Sequence, residues 1–252
     1  MCIVQGLTEF LPVSSSGHLV LIEQLFGVSD NTMLLNLFLH LATLLAVVIV
    51  YRETLWKIIK NPFQIYSFKL LIATIFTVLF AFIYDFSGLE NYVTKIYPFG
   101  FLLTSVLLLL CHKYQTHAMS VNIEKVSFKK SMIVGMVQGL AVIPGLSRSG
   151  STISSLVLSG TDESQASEFS FLLSIPIIIG GFCLELIREK NTLSYFTFNN
   201  FGVYFIAFTL TFIVSIIALK LTIKLLKKQK FLLFSIYTFL MFILTFLINF
   251  VL

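Results

Sequence analysis

Six long apolar stretches, at roughly 34–51, 69–84, 96–112, 168–187, 201–223 and 231–252, constrain this 252-residue chain more than any other feature. A bilayer core takes about 20 apolar residues per helix. The expected fold is therefore all-α: a single integral membrane domain over 1–252 with six transmembrane helices. Composition agrees. Hydrophobic residues make up 57% of the chain and charged residues 12%, with a mean hydropathy of +0.95. A soluble domain carries about 25% charged residues. A soluble enzyme, a disordered chain and a nucleic-acid binder are excluded. Cys2, Cys111 and Cys183 sit in apolar runs without metal-ligand spacing and read as packed or lipid-facing thiols. No basic n-region or cleavage site precedes an apolar h-region, so no secretory signal is expected.

Two further apolar segments are interrupted. Segment 1–27 is broken by Pro12 and the run Ser14-Ser15-Ser16-Gly17; segment 132–160 is broken by Pro144-Gly145 and the run Ser147-Arg148-Ser149-Gly150-Ser151. A broken backbone at membrane depth has to be buried in protein or line a cavity. Both segments read as re-entrant hairpins of two half-helices.

Basic residues set the orientation. Arg52, Lys57, Lys60 and Lys69 fall in one connection, Lys113, Lys125, Lys129 and Lys130 in a second, and Lys220, Lys224, Lys227, Lys228 and Lys230 in a third. The alternate connections carry Lys95, Arg188 and Lys190. Six spans and two re-entrant pieces place the three rich connections on one side, which the positive-inside rule makes cytoplasmic.

The two broken segments resemble each other. Val4-Gln5-Gly6-Leu7 is matched by Val137-Gln138-Gly139-Leu140, and Ser14-Ser15-Ser16-Gly17 by Ser147-Arg148-Ser149-Gly150, both 133 residues on. Three spans separate the copies, so the hairpins open to opposite sides. The chain reads as two inverted repeats, about 1–115 and about 130–252, whose broken helices meet near the midplane.

Glu9 and Gln5 lie four apart on one face of an apolar half-helix. A carboxylate at bilayer depth costs roughly 2.5–3.5 kcal/mol and is a functional candidate, the alternative being a structural partner of Arg148. The serine runs precede helices expected to begin near His18 and after Ser147. Helix N-termini present free N–H groups and a positive dipole end to anions. Ser14, Ser16, Gly17, Ser147, Ser149, Gly150 and Thr152 are therefore candidate phosphate-binding residues, with Arg148 as a bidentate phosphate ligand. His18 adjoins candidate nucleophiles and reads as catalytic. His40 reads as structural, and His112 and His117 as solvated. Glu168 is placed to orient Arg148, Glu185 to sit near the outer interface, and Glu23 to face a vestibule.

The strings Gln5 to His18 and Pro144 to Thr152, with Ala166 to Leu173, resemble the signature motifs of the bacitracin-resistance type undecaprenyl-diphosphate phosphatase family. The resemblance implies removal of one phosphate from a C55 polyprenyl diphosphate, which regenerates the lipid carrier of peptidoglycan and cell-wall synthesis. It further implies a divalent cation, Mg²⁺ or Ca²⁺, and a site reached from the outer side of the bacterial cell membrane. Glu9, His18, Ser15 and Arg148 match the family's functional positions. The chain departs from the family in carrying Gln5 where a glutamate is common. It also has only four residues before Gln5, where members usually have about three more helical turns; either the start is misassigned or the first half-helix is short.

The expected mechanism places the diphosphate where the two helix N-termini and Arg148 converge, with a metal held by Glu9 and Gln5. The nucleophile stays open between His18, a serine such as Ser15, and water activated by His18. Expected partners are the polyprenyl diphosphate, membrane lipid and, as a homodimer, a second copy of the chain, with no nucleic acid. The rival function is a secondary transporter or flippase for a polyprenyl phosphate or small anion, since inverted repeats with broken helices also describe transporters.

Overall fold

Proline, glycine and serine decide where the apolar stretches run on as helices and where they break. The computed structural model describes residues 1–27, 32–88, 92–114, 123, 126–188 and 198–250. Among them are eleven helices and no strand: α1 (Cys2–Thr8), α2 (Ser15–Phe26), α3 (Thr32–Val50), α4 (Arg52–Lys60), α5 (Ile65–Phe86), α6 (Val93–Tyr114), α7 (Phe128–Leu140), α8 (Arg148–Leu158), α9 (Glu163–Arg188), α10 (Phe198–Lys227) and α11 (Phe231–Phe250). Helices α5, α6, α9, α10 and α11 are each long and apolar enough to cross a membrane. α3 joins them as a sixth when taken with α4, from which it is bent by 75°. This is a multi-pass, all-α membrane protein.

The helices run further than the apolar stretches. α5 starts at Ile65, so Lys69 lies within a helix and not in a connection. It is buried, and its Nζ donates to the Ile123 carbonyl at 2.8 Å. The long stem is sheathed by protein while the ammonium group reaches a backbone acceptor. His117, Lys125 and Lys190 lie outside the described residues.

Both hairpins break around a serine cap. The Ser14 side chain accepts from Gly17 N at 3.3 Å and starts α2 at Ser15, three residues earlier than the sequence suggests. Ser147 accepts from Gly150 N at 3.0 Å and starts α8 at Arg148. A serine cap satisfies an otherwise orphaned N–H, which is why each helix begins inside its serine run. Ser149, Gly150 and Thr152 therefore lie within α8.

The same contacts recur in the two halves. The Thr211 hydroxyl donates to the Cys2 carbonyl at 3.3 Å as the Thr77 hydroxyl does to that of Gly135 at 3.1 Å. A Cβ on Gly6 would stand 2.9 Å from the Thr211 carbonyl; one on Gly139 would stand 2.8 Å from that of Thr77. Each glycine lets a half-helix lie against the backbone of a span, α1 on α10 and α7 on α5. Between α6 and α11 the exchange is reciprocal: Ser105 Oγ donates to the Ser235 carbonyl and Ser235 Oγ to the Ser105 carbonyl, both at 2.9 Å.

Gly145 carries the break between α7 and α8. Its φ is +85°, and any Cβ there would collide with the Tyr97 carbonyl of α6. Thr104, also on α6, donates to the Gly145 carbonyl at 3.2 Å and accepts from Ser147 N at 2.8 Å. The polar groups of the break are thereby satisfied by a neighbouring span.

Candidate active site

Glu9 is the residue on which the site is built. It follows α1 directly and is 7% exposed. One carboxylate oxygen, Oε1, forms an ion pair with Nη2 of Arg148, the first residue of α8. The other, Oε2, accepts from Ser15 Oγ at 2.6 Å and from Gln5 Nε2 at 3.0 Å. A buried carboxylate is tolerable only with such a set of donors. Every one of these side chains comes from the same chain. The α1 to α2 turn and the head of α8 are thus joined at one carboxylate.

Glu9, Ser14, Ser15, Ser16, Ser147 and Arg148 line a cavity of about 570 Å³. Its remaining wall is mostly apolar, supplied by residues such as Val78, Phe82, Ile177, Ile178 and Leu184 on α5 and α9. Asp85 and Glu185 line it toward the C-terminal ends of those helices. The first residues of α2 and α8 both line this space, so the N-terminal ends of two helices, with their positive dipole ends, border it. Arg148 Nη1 is buried and has no partner among the described residues, so the guanidinium keeps a donor in reserve. The cavity can hold an amphiphile with an anionic head against Arg148 and an apolar chain along α5 and α9.

The other residues singled out in the sequence stand behind this wall. Ser149 Oγ donates to the Leu11 carbonyl at 3.1 Å and closes the two breaks on each other. Thr152 bonds back to the Arg148 carbonyl at 2.9 Å and meets Ser170 Oγ. Gly17 packs on the second break, where a Cβ would come within 2.8 Å of Gly145 Cα. Gly150 lies close to Pro12, at 3.3 Å from a Cβ. Glu168 does not orient Arg148: its Oε1 accepts from Thr54 at 3.3 Å, toward α4. Glu23 does not line the cavity; it accepts from Asn36 at 3.5 Å.

The two histidines hold contrasting positions. His18 does not line the cavity and is 7% exposed. Its Nδ1 lies 2.6 Å from the Ser14 carbonyl, which can only accept, so Nδ1 carries the proton. Nε2 lies 2.7 Å from the Tyr237 hydroxyl, and the ring is packed against Phe101 and Tyr237. It braces Ser14, whose φ of +70° is strained for a serine. His40, which the sequence reading treats as structural, lines the cavity. Its Nδ1 is 3.1 Å from Gln5 Nε2 and 4.0 Å from Glu9 Oε2. The signal for it was present in the sequence, as an ionisable side chain in an apolar span.

The chain as a whole is matched among known proteins. The family described as Bacitracin resistance protein BacA matches residues 1–244. The chain belongs to that family. It is 34% identical over 251 residues to the undecaprenyl-diphosphatase of Carboxydothermus hydrogenoformans, covering 95% of this chain and 91% of that protein. Against the enzyme of the same name from Halothermothrix orenii it is 39% identical over 196 residues, 76% of this chain and 73% of that one. The Clostridium tetani undecaprenyl-diphosphatase is 34% identical over 252 residues. The BacA match takes in both broken segments, and with them every residue that meets Glu9.

Two residues here could offer oxygen donors to a hard cation. No group of three His, Cys, Asp or Glu is gathered for a metal among the described residues. Glu9 offers a carboxylate to the cavity, and Gln5 Oε1 beside it is buried without a hydrogen-bond partner. One carboxylate and one amide oxygen suit Mg²⁺ or Ca²⁺ that draws its other ligands from phosphate and water.

Proposed function

We propose that this protein hydrolyses undecaprenyl diphosphate to undecaprenyl phosphate and inorganic phosphate, recycling the lipid carrier of cell-wall synthesis and conferring bacitracin resistance. Family membership and the names of its relatives support the reaction. The observation that carries it to particular atoms is Glu9, which ties Arg148 to the Ser15 hydroxyl at the head of an apolar cavity.

In this reading the diphosphate lies across the N-termini of α2 and α8, and Arg148 holds its terminal phosphate through the spare Nη1 donor. Ser15 is the nucleophile. Its Oγ attacks the terminal phosphorus while Glu9 takes the hydroxyl proton. The bond from phosphorus to the bridging oxygen breaks, and the polyprenyl phosphate leaves with the electron pair. Water then hydrolyses the phosphoserine. Arg148 and the backbone amides stabilise charge on the transferring group. His18 keeps the α2 start in shape and does not touch phosphate. A divalent cation held by Glu9 and Gln5 would offset phosphate charge.

The cavity reaches the ends of α5 and α9 at Tyr84, Asp85 and Glu185, opposite the ends that carry the basic connections. With the basic side cytoplasmic, the substrate enters from the outer face of the cell membrane.

The deciding experiment is phosphate release from C55 polyprenyl diphosphate by purified protein in detergent, with and without Mg²⁺. Release is expected, and it should vanish in Arg148→Ala. No release by the folded wild type would overturn the reading and favour transport of a polyprenyl phosphate.

A further inference from the structure

Helix α4 has no part in the cavity and no buried residue. It leaves α3 at 75°. A helix nearly perpendicular to a membrane-crossing helix lies close to the membrane plane. Leu55 and Ile58 pack against the core and fix its roll. The sides turned away from the core show Trp56 at 58% exposure and Ile59 at 67%, followed by Phe63 at 84%. Arg52, Trp56, Ile59 and Lys60 follow helical spacing onto one face, and Lys60 Nζ lies 5.3 Å over the Trp56 ring.

The surroundings are basic. Lys130 reaches the Ser159 carbonyl at the end of α8, and Gln229 reaches Glu163 at the start of α9. These bonds, with that from Thr54 of α4 to Glu168 of α9, gather the helix ends bearing Lys129, Lys224, Lys227 and Lys228 at the same end of the molecule as α4, which itself carries Arg52, Lys57 and Lys60 against Glu53. Apolar side chains of this size beside a surplus of cations complement an anionic lipid surface: the rings enter the acyl boundary and the cations meet phosphate headgroups.

We propose that α4 is an interfacial anchor that seats this end of the protein on an anionic phospholipid leaflet. The inference stands apart from the diphosphatase reading, since it uses no residue of the cavity.

The chain holds a single tryptophan, Trp56, so intrinsic emission reads α4 alone. The whole protein is reconstituted in phosphatidylcholine vesicles containing equal mole fractions of either brominated phosphatidylglycerol or brominated phosphatidylcholine. Bromines near the acyl boundary should quench Trp56 more than bromines near the bilayer centre. Brominated phosphatidylglycerol should quench roughly twofold or more above brominated phosphatidylcholine, because each basic residue near an anionic surface favours it. That excess should be lost in Lys57→Gln/Lys60→Gln and, in the unaltered protein, at high salt. Equal quenching by the two headgroups overturns the anionic preference. Unquenched Trp56 in both vesicles overturns the anchor and indicates that a second copy or another protein covers the helix.

Discussion

Glu9 and Arg148, 139 positions apart, form an ion pair that joins the two broken hairpins inside the membrane domain. Neither residue is solvated enough to stand alone. The pair therefore serves the packing of α1, α2 and α8 as well as the chemistry proposed for the cavity.

A double substitution separates these two effects. Arg148→Ala leaves Glu9 buried and unpaired, which should cost about 3–5 kcal/mol and lower the thermal midpoint in detergent. Adding Glu9→Gln removes the stranded charge and should restore much of that midpoint. Turnover should fall at least ~100-fold in Arg148→Ala, since a donor to the transferring phosphate is missing, and stay low in the double variant, which also lacks the base for Ser15. Recovery of turnover together with stability would reduce both Arg148 and Glu9 to structural partners.

Much of this site was readable from residue order. The half-helices, the serine caps, Glu9, Arg148 and the matching strings all sit in local patterns, and local patterns fix helix ends. His40 is legible as an ionisable residue in an apolar span, but the direction in which it and Tyr237 point is not. Each lies in a continuous apolar span whose roll about its own axis is set by packing against other helices. His18 shows the same limit from the other side. Its place beside three serines is local, but its direction depends on Tyr237, which lies 219 positions away. Nearness in sequence points Glu168 to Arg148, but the roll of α9 turns it toward Thr54 instead.

The covalent intermediate distinguishes Ser15 from His18. Rapid acid quenching with a slow substrate should trap an acid-stable phosphoserine and no acid-labile phosphohistidine. Tyr237→Phe removes the hydroxyl that meets His18 Nε2 and should cost about 1 kcal/mol of stability with less than a tenfold loss of turnover. A phosphohistidine, or a large loss of turnover in Tyr237→Phe at unchanged stability, would return His18 to the chemistry.

Metal dependence tests Gln5 and its neighbour. Gln5→Glu sets a second carboxylate against Glu9, in place of the amide that now donates to it. Without a divalent cation the like charges should repel and lower the thermal midpoint. With Mg²⁺ or Ca²⁺ the midpoint should recover, and the metal concentration for half-maximal rate should drop several-fold. His40→Ala removes the acceptor of the second Gln5 amide contact and should raise that concentration modestly with little change in stability. A metal titration that is superimposable for wild type, Gln5→Glu and His40→Ala would remove both residues from any cation site.

Two glycines with similar backbone angles measure what the second break contributes. Gly145 has φ +85° and Gly160 has φ +89°, so alanine strains the backbone comparably at both, by roughly 1–2 kcal/mol. Their surroundings differ. A Cβ at Gly160 meets nothing within 4 Å, whereas at Gly145 it runs into the Tyr97 carbonyl, a backbone atom of α6 that cannot swing aside. Gly160→Ala should therefore show the strain alone, with turnover near wild type. Gly145→Ala should lose more stability. It should also lose activity, because Thr104 couples the Gly145 carbonyl to Ser147 N and so to the start of α8 at Arg148. Thermal midpoints and phosphate release of the two variants, measured side by side, give the comparison. If Gly145→Ala matches Gly160→Ala in both, the break yields without moving Arg148, and the close approach to α6 does not hold the arginine in place.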